Sequence, residues 1–438
     1  MSARPLAGSG LAAAAAALAA AIAYASAAAP VAALAGAAVL ALLGCVVLAP
    51  ELLLVALVAA FPWDDALAYP TATVSVIKIL GAIVFVGYLF RSLSRGEDVR
   101  MPATLLAAVV FAILVLVSLL LSADPGAGVA QAMRYLLFVG FLFVFVQLVR
   151  TRSALLWCVR ALCLSATIAS VLALAAFLGG ETGRVAGPIG EANDFAYLLA
   201  VVLPLLAYLL ATERARRPLW AACLVVVAAG VLGTLSRGAL VGLAALAVWG
   251  LVTRRVPVKG LLQGALLLAG VLVLALTLWG PLIDERLAMK ERVADANVAS
   301  RQALWSAAVR MSADHPLVGV GPGQFGPRSA DYLVDDPLGI TNPVAHNSFL
   351  EVLAENGVLA LLAFVAMVGT TWRVLTHVQR RAARGDPDTA RLATAAQASL
   401  VVAIVSANFL SVQLTVALWL LAGIAVALAA QTAQSGRR

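Results

Sequence analysis

The 438-residue chain is 63% hydrophobic and only 12% charged, with a mean hydropathy of +1.01. Soluble domains carry about twice that share of charge, so the composition excludes one and specifies an all-α, polytopic transmembrane bundle, the form in which lipid-embedded backbone pairs with itself. The net charge of +8 sits in short segments between apolar runs, which is a topology signal and argues against nucleic acid as a partner.

Apolar runs of the roughly 17–25 residues that cross hydrocarbon recur along the chain. The pattern predicts helices over 8–28, 31–48, 50–61, 74–91, 103–121, 128–149 and 154–178, then over 192–211, 218–234, 237–252 and 261–280. Three more follow a polar stretch, over 347–372, 392–409 and 412–430. The third run is short and begins at Pro50, so a re-entrant or merged element fits there, giving twelve to fourteen spans. The Ala-rich first run reads as a retained helix rather than a cleaved signal peptide, because further spans follow at once.

Fourteen spans put both termini and every basic cluster in the cytoplasm. Those clusters are Arg91, Arg95 and Arg100; Arg150 and Arg152; Arg214, Arg216 and Arg217; Arg254, Arg255 and Lys259; and Arg373 through Arg391. The chain then divides into N-terminal membrane helices (1–280), an outward polar loop (281–345) and C-terminal membrane helices (346–438). Cys45, Cys158, Cys163 and Cys223 all lie in apolar runs without metal-ligand spacing and read as small core residues.

The loop carries six basic and eight acidic side chains, a net −2 that suits the outer side. Within it, Ser300 is placed to cap a helix running to Met311, with Leu304, Ala307, Ala308 and Met311 as its apolar stripe. His315-Pro316 ends that helix, and Gly319, Gly321 and Gly323 around Pro322 form a turn. No phosphate loop of Walker spacing and no Cys/His cluster occurs, so no cofactor is expected. The acidic pairs Asp64-Asp65 and Asp335-Asp336 read as solvated rather than metal-binding.

Cations crowd the outer half against the usual bias. Arg134 lies about 9 Å inside its predicted span, at a cost of ~2.5–3.5 kcal/mol unless water or a partner relieves it. Arg184 sits in an outward glycine-flanked loop, Arg237 in a short outward turn, and Lys78 within a turn of the outer face. Guanidinium forks suit phosphate, so an anionic ligand at the outer leaflet accounts for them. His346, where the loop re-enters the membrane, precedes the polar helix start Asn347-Ser348. An imidazole on a rigid helix end facing outer water can take a proton from a hydroxyl. His315 and His377 read as solvated.

Four stretches then carry a resemblance. GRVAGPIGEANDFAYLLAVVLPL begins at Gly183, TLSRGALVGL at Thr234, SRQALWSAAVRMSADHPLVGVGPGQFG at Ser300 and HNSFLEVLAENGVLALLAF at His346. Together, over about 183–364, the chain resembles the O-antigen ligase and polymerase superfamily of bacterial membrane glycosyltransferases. The resemblance implies a GT-C-like fold and an inverting, metal-independent transfer of glycan from undecaprenyl diphosphate at the outer face of the cytoplasmic (inner) membrane. The acceptor would be a hydroxyl of a glycan, of lipid A-core or of another molecule. The family's histidine falls on His346 and its essential arginines on Arg184 and Arg237, with Asn193 shaping the site and Asn347 beside the histidine. Arg134 and Lys78 come from burial alone. A polymerase of lipid-linked repeat units would use the same parts on a different acceptor. A transporter or flippase would instead place ionisable groups near the midplane, where this chain has almost none.

Overall fold

A computed structural model describes residues 50–64, 75–180, 184–291, 294–333, 343–413 and 415–435. The predicted runs 8–28 and 31–48 lie outside them, as do Asp65, Asp335 and Asp336. Regular structure among the described residues is helical, without strands. In chain order the helices are α1 Pro50–Ala60, α2 Val76–Arg95, α3 Ala103–Leu121, α4 Pro125–Leu148, α5 Arg152–Leu178, α6 Ala192–Thr212 and α7 Arg217–Gly233. They continue with α8 Arg237–Thr253, α9 Val258–Glu291, α10 Ala294–Asp314, α11 Phe325–Ser329, α12 Ser348–Ala382, α13 Pro387–Ser406 and α14 Val416–Ser435.

Ten of these are long and apolar enough to cross a membrane, and α1 and α8 are shorter apolar helices. All twelve predicted runs within the described residues are therefore helices, and the chain is a polytopic helical bundle. Boundaries shift where capping chemistry overrides hydropathy. α4 starts at Pro125, not 128, because the Asp124 side chain accepts from the Ala127 N–H and proline fits the first helical position. Arg134 is thus nine residues into its helix, about 14 Å along it rather than 9 Å.

α12 runs through the centre, packed against α3, α13 and α14, while α6 packs on α13 and α7. Phe111, Tyr135, Phe364 and Trp419 interlock from α3, α4, α12 and α14. α9 is peripheral: none of its most apolar window is buried, as expected of a helix facing lipid. It departs from the predicted 261–280 by continuing past a kink at Trp279 and Pro281 to Glu291. The loop helix also exceeds its expectation. α10 begins at Ala294, so Ser300 lies inside it and is no cap, although Leu304, Ala307, Ala308 and Met311 are buried as the stripe requires.

A break in α12 joins this loop to the bundle. Gly357 adopts φ 79°, which leaves the carbonyls of Ala354 and Glu355 without helical partners. The Val320 and Gly321 N–H groups donate to them at 2.9 and 2.8 Å, and the Ser118 hydroxyl of α3 also reaches Glu355 O at 2.9 Å. The approach demands glycine on both sides. A Cβ at Gly319 would lie 2.3 Å from the Glu355 carbonyl carbon, and one at Gly357 2.2 Å from Leu317 O. Left-handed backbone alone costs a non-glycine residue about 1–2 kcal/mol. Gly319→Ala and Gly357→Ala should each lower the melting temperature of the purified protein. Gly369→Ala, with nothing within 4 Å of its Cβ, should leave it unchanged.

Candidate active site

The N-termini of α4, α6, α8, α12 and α14 lie at the end of the bundle opposite the basic clusters, since each helix runs from there toward them. Helix starts carry partial positive charge and unpaired N–H groups. The chain places its unusual cations at this end.

Arg184 is half-buried in the segment between α5 and α6. Its Nε donates to Thr234 O and its Nη2 to Asn193 Oδ1, both at 2.8 Å. Asn193 in turn donates from Nδ2 to Glu191 at 3.0 Å, and the Glu191 carboxylate caps α6 through the Asn193 and Asp194 N–H groups. Burial pulls the Arg184 pKa down, partly offset by Glu191. Two faces of its fork are thus spent on the fold: Arg184 ties the α5–α6 segment to the α7–α8 turn. Its remaining donors are what it has to offer a ligand.

That turn is strained, with Leu235 at φ 54°. It delivers Arg237 as the exposed first residue of α8, beside a buried Ser236 hydroxyl that has no partner. Electrostatically coupled to Arg237 is a residue that sequence reasoning did not single out, Arg301 of α10. Arg301 is half-buried, donates weakly to Phe409 O at 3.4 Å and keeps its Nε unpartnered. Its pKa is lowered first by burial and then by Arg237, against Glu191. Two like charges, one of them partly desolvated, repel each other unless an anion lies between them.

His346 completes the group. It is half-buried, and burial followed by the neighbouring Arg301 lowers its pKa below the usual 6.5, while Glu191 opposes them. Burial and Arg301 both favour the neutral ring, whose lone pair can accept a proton. Its backbone is left-handed, φ 49°, and flanked by fixed residues. Asn347 caps α12, its Oδ1 accepting from the Phe349 and Leu350 N–H groups at 3.1 Å, so that oxygen serves the helix. Ser348 N–H donates to Ala407 O at 2.9 Å, and the Ser348 hydroxyl to Leu410 O at 2.8 Å.

The two cations inferred from burial lie on other helices, α4 and α2. Arg134 is exposed on α4, where its charge acts on Asp194. Lys78 is at the start of α2, which packs on α1 and α4. Among the described residues no three His, Cys, Asp or Glu side chains gather as a metal site would require. Arg301 and Glu191 escaped the sequence reading, although both lie in stretches that carry the resemblance.

No curated protein matches the chain. A family model described as O-antigen ligase matches residues 221–365, from the first turn of α7 into α12, and so includes Arg237, Arg301 and His346 but not Arg184 or Asn193. Residues 221–365 are thus similar to an O-antigen ligase domain.

Proposed function

We propose that the protein is a membrane glycosyltransferase of the O-antigen ligase type, acting at the outer face of the cytoplasmic membrane. The donor is a glycan on undecaprenyl diphosphate, and the acceptor is a hydroxyl. The observation that carries this reading is a half-buried imidazole, His346, electrostatically coupled to Arg301, which is itself coupled to Arg237, all three within the family-matched segment.

In the reaction the acceptor oxygen bonds to the anomeric carbon as the bond from that carbon to the phosphate oxygen breaks. His346 takes the hydroxyl proton, and the lipid diphosphate leaves with its bonding electrons. Arg237 and Arg301 neutralise the leaving charge, with Arg184 adding its spare donors. Attack opposite the leaving group inverts the anomeric centre. The donor itself supplies the driving force, so no cofactor enters. Lys78 and Arg134 would meet the approaching lipid headgroup, outside the reacting centre.

The test is turnover of a lipid-linked glycan by the purified protein in proteoliposomes, with and without an acceptor. Glycan on the acceptor supports ligation, and longer lipid-linked glycan would identify a polymerase instead. Translocation without new bonds would overturn the reading. Orientation has its own check. Cysteine at the exposed Ala330, in a background lacking the native cysteines, should react with an impermeant maleimide in intact cells after outer-membrane permeabilisation, where such a membrane exists. Labelling only after lysis would place the site in the cytoplasm.

A further inference from the structure

His346 occupies a backbone conformation that few non-glycine residues adopt, and such conformations persist only where the surroundings over-determine them. The peptide before it is where the surroundings converge. Ala345 is wholly buried, and its carbonyl accepts from the Trp305 indole Nε1 at 2.8 Å. Trp305 lies one helical turn after Arg301 on α10, hence on the same face. One face of α10 therefore brings both the arginine and the indole to the histidine turn.

The N–H of Ala345, in the preceding peptide unit, donates to the carboxylate of Glu351. That side chain is 8% exposed and accepts from Gln413 Nε2 at 2.8 Å and from the Ser411 hydroxyl. Ser411 and Gln413 belong to the α13–α14 connection, whose Ala407 and Leu410 carbonyls already hold Ser348. Glu351 thus joins the histidine turn to the connection from inside the protein. A carboxylate is suited to this because every partner is a donor, and it is acceptor-only when ionised. Neither residue has a place in the chemistry described above.

We propose that Trp305 and Glu351 are positioning residues, which hold Ala345 by its C=O and its N–H, fixing the two peptide units before His346, and so keep the His346 imidazole in its left-handed setting beside Arg301. The catalytic consequence rests on the transferase reading; the grip on the histidine does not.

Two variants test it. Trp305→Phe keeps the ring and deletes the N–H, and Glu351→Gln keeps the shape but turns an N–H₂ toward donors. The first measurement is the rate at which diethyl pyrocarbonate modifies each histidine of the purified protein, resolved by mass spectrometry. His315 and His377 are exposed and serve as internal references. Each variant should raise the His346 rate several-fold while leaving the two references unchanged. The second measurement is single-turnover transfer. It should fall about 10- to 100-fold, as a displacement on the order of 1 Å does, with donor retention unchanged and the acid limb of the pH profile moved upward as the ring gains water.

Unchanged His346 labelling in Trp305→Phe overturns the proposal, whatever happens to transfer. If Glu351→Gln does not yield monodisperse protein, Trp305→Phe alone decides. Should the labelling respond as expected while the wild-type protein transfers no glycan, the positioning holds and the transferase reading falls.

Discussion

His346→Ala should cut single-turnover glycan transfer by about 10²–10⁴-fold, the usual worth of a general base, while lipid-diphosphate donor remains bound. Alanine at φ 49° carries a conformational cost of its own, so His346→Asn is the cleaner variant. Asparagine tolerates the left-handed region yet cannot take up a proton. An equal loss in both variants isolates the imidazole chemistry, and survival of transfer in either would remove His346 from the mechanism. The pH profile gives an independent check. Protonation removes the lone pair, so transfer declines as pH falls through the imidazole pKa. Burial and Arg301 hold that pKa below 6.5, and the acid limb should lie below the range of a free histidine. Glu191 opposes both. Glu191→Gln should therefore move the limb to still lower pH.

The helices were legible wherever hydrocarbon alone sets the boundary. α3 matches its predicted 103–121 because an unbroken apolar run ends at Pro102 on one side and Ser122 on the other. Hydropathy reports membrane rather than helix, however, so it lost α9 beyond Pro281 and α12 beyond residue 372, where each continues as a polar helix. The break at Gly357 was read through: Glu355-Asn356-Gly357 is a turn signal inside the predicted 347–372 run, but it gives no sign of the loop, distant in sequence, that docks against it. The candidate site divides in the same way. Arg184, Arg237 and His346 stood out because charge or an imidazole at the end of an apolar run is costly and needs a reason. Arg301 lies in a polar segment, where a cation costs nothing until the fold half-buries it against Phe409 and couples it to Arg237. Composition cannot register that cost.

The same cost makes Arg301 the most discriminating substitution in the molecule. A partly desolvated guanidinium coupled to Arg237, with one nitrogen unpartnered, is a liability in the empty protein and an asset once an anion arrives. Arg301→Ala should weaken donor retention by roughly 10- to 150-fold, from the ~1.5–3 kcal/mol of a hydrogen bond to a charged group. Lysine should recover only part, because a point charge cannot make the fork contact. Arg310→Ala, an exposed position about two and a half turns on along α10, should leave retention unchanged. The ligand-free protein should respond in the opposite sense. Deleting Arg301 relieves the repulsion on Arg237, so the melting temperature without donor should hold or rise, while the increase produced by donor disappears. A purely structural arginine would destabilise the empty protein when removed and leave the donor-dependent increase intact. Measuring thermal stability with and without lipid diphosphate separates the two. The paired substitution adds a further constraint: if both guanidinia hold the same anion, then with Arg237→Ala already present, Arg301→Ala should cost less than it does alone.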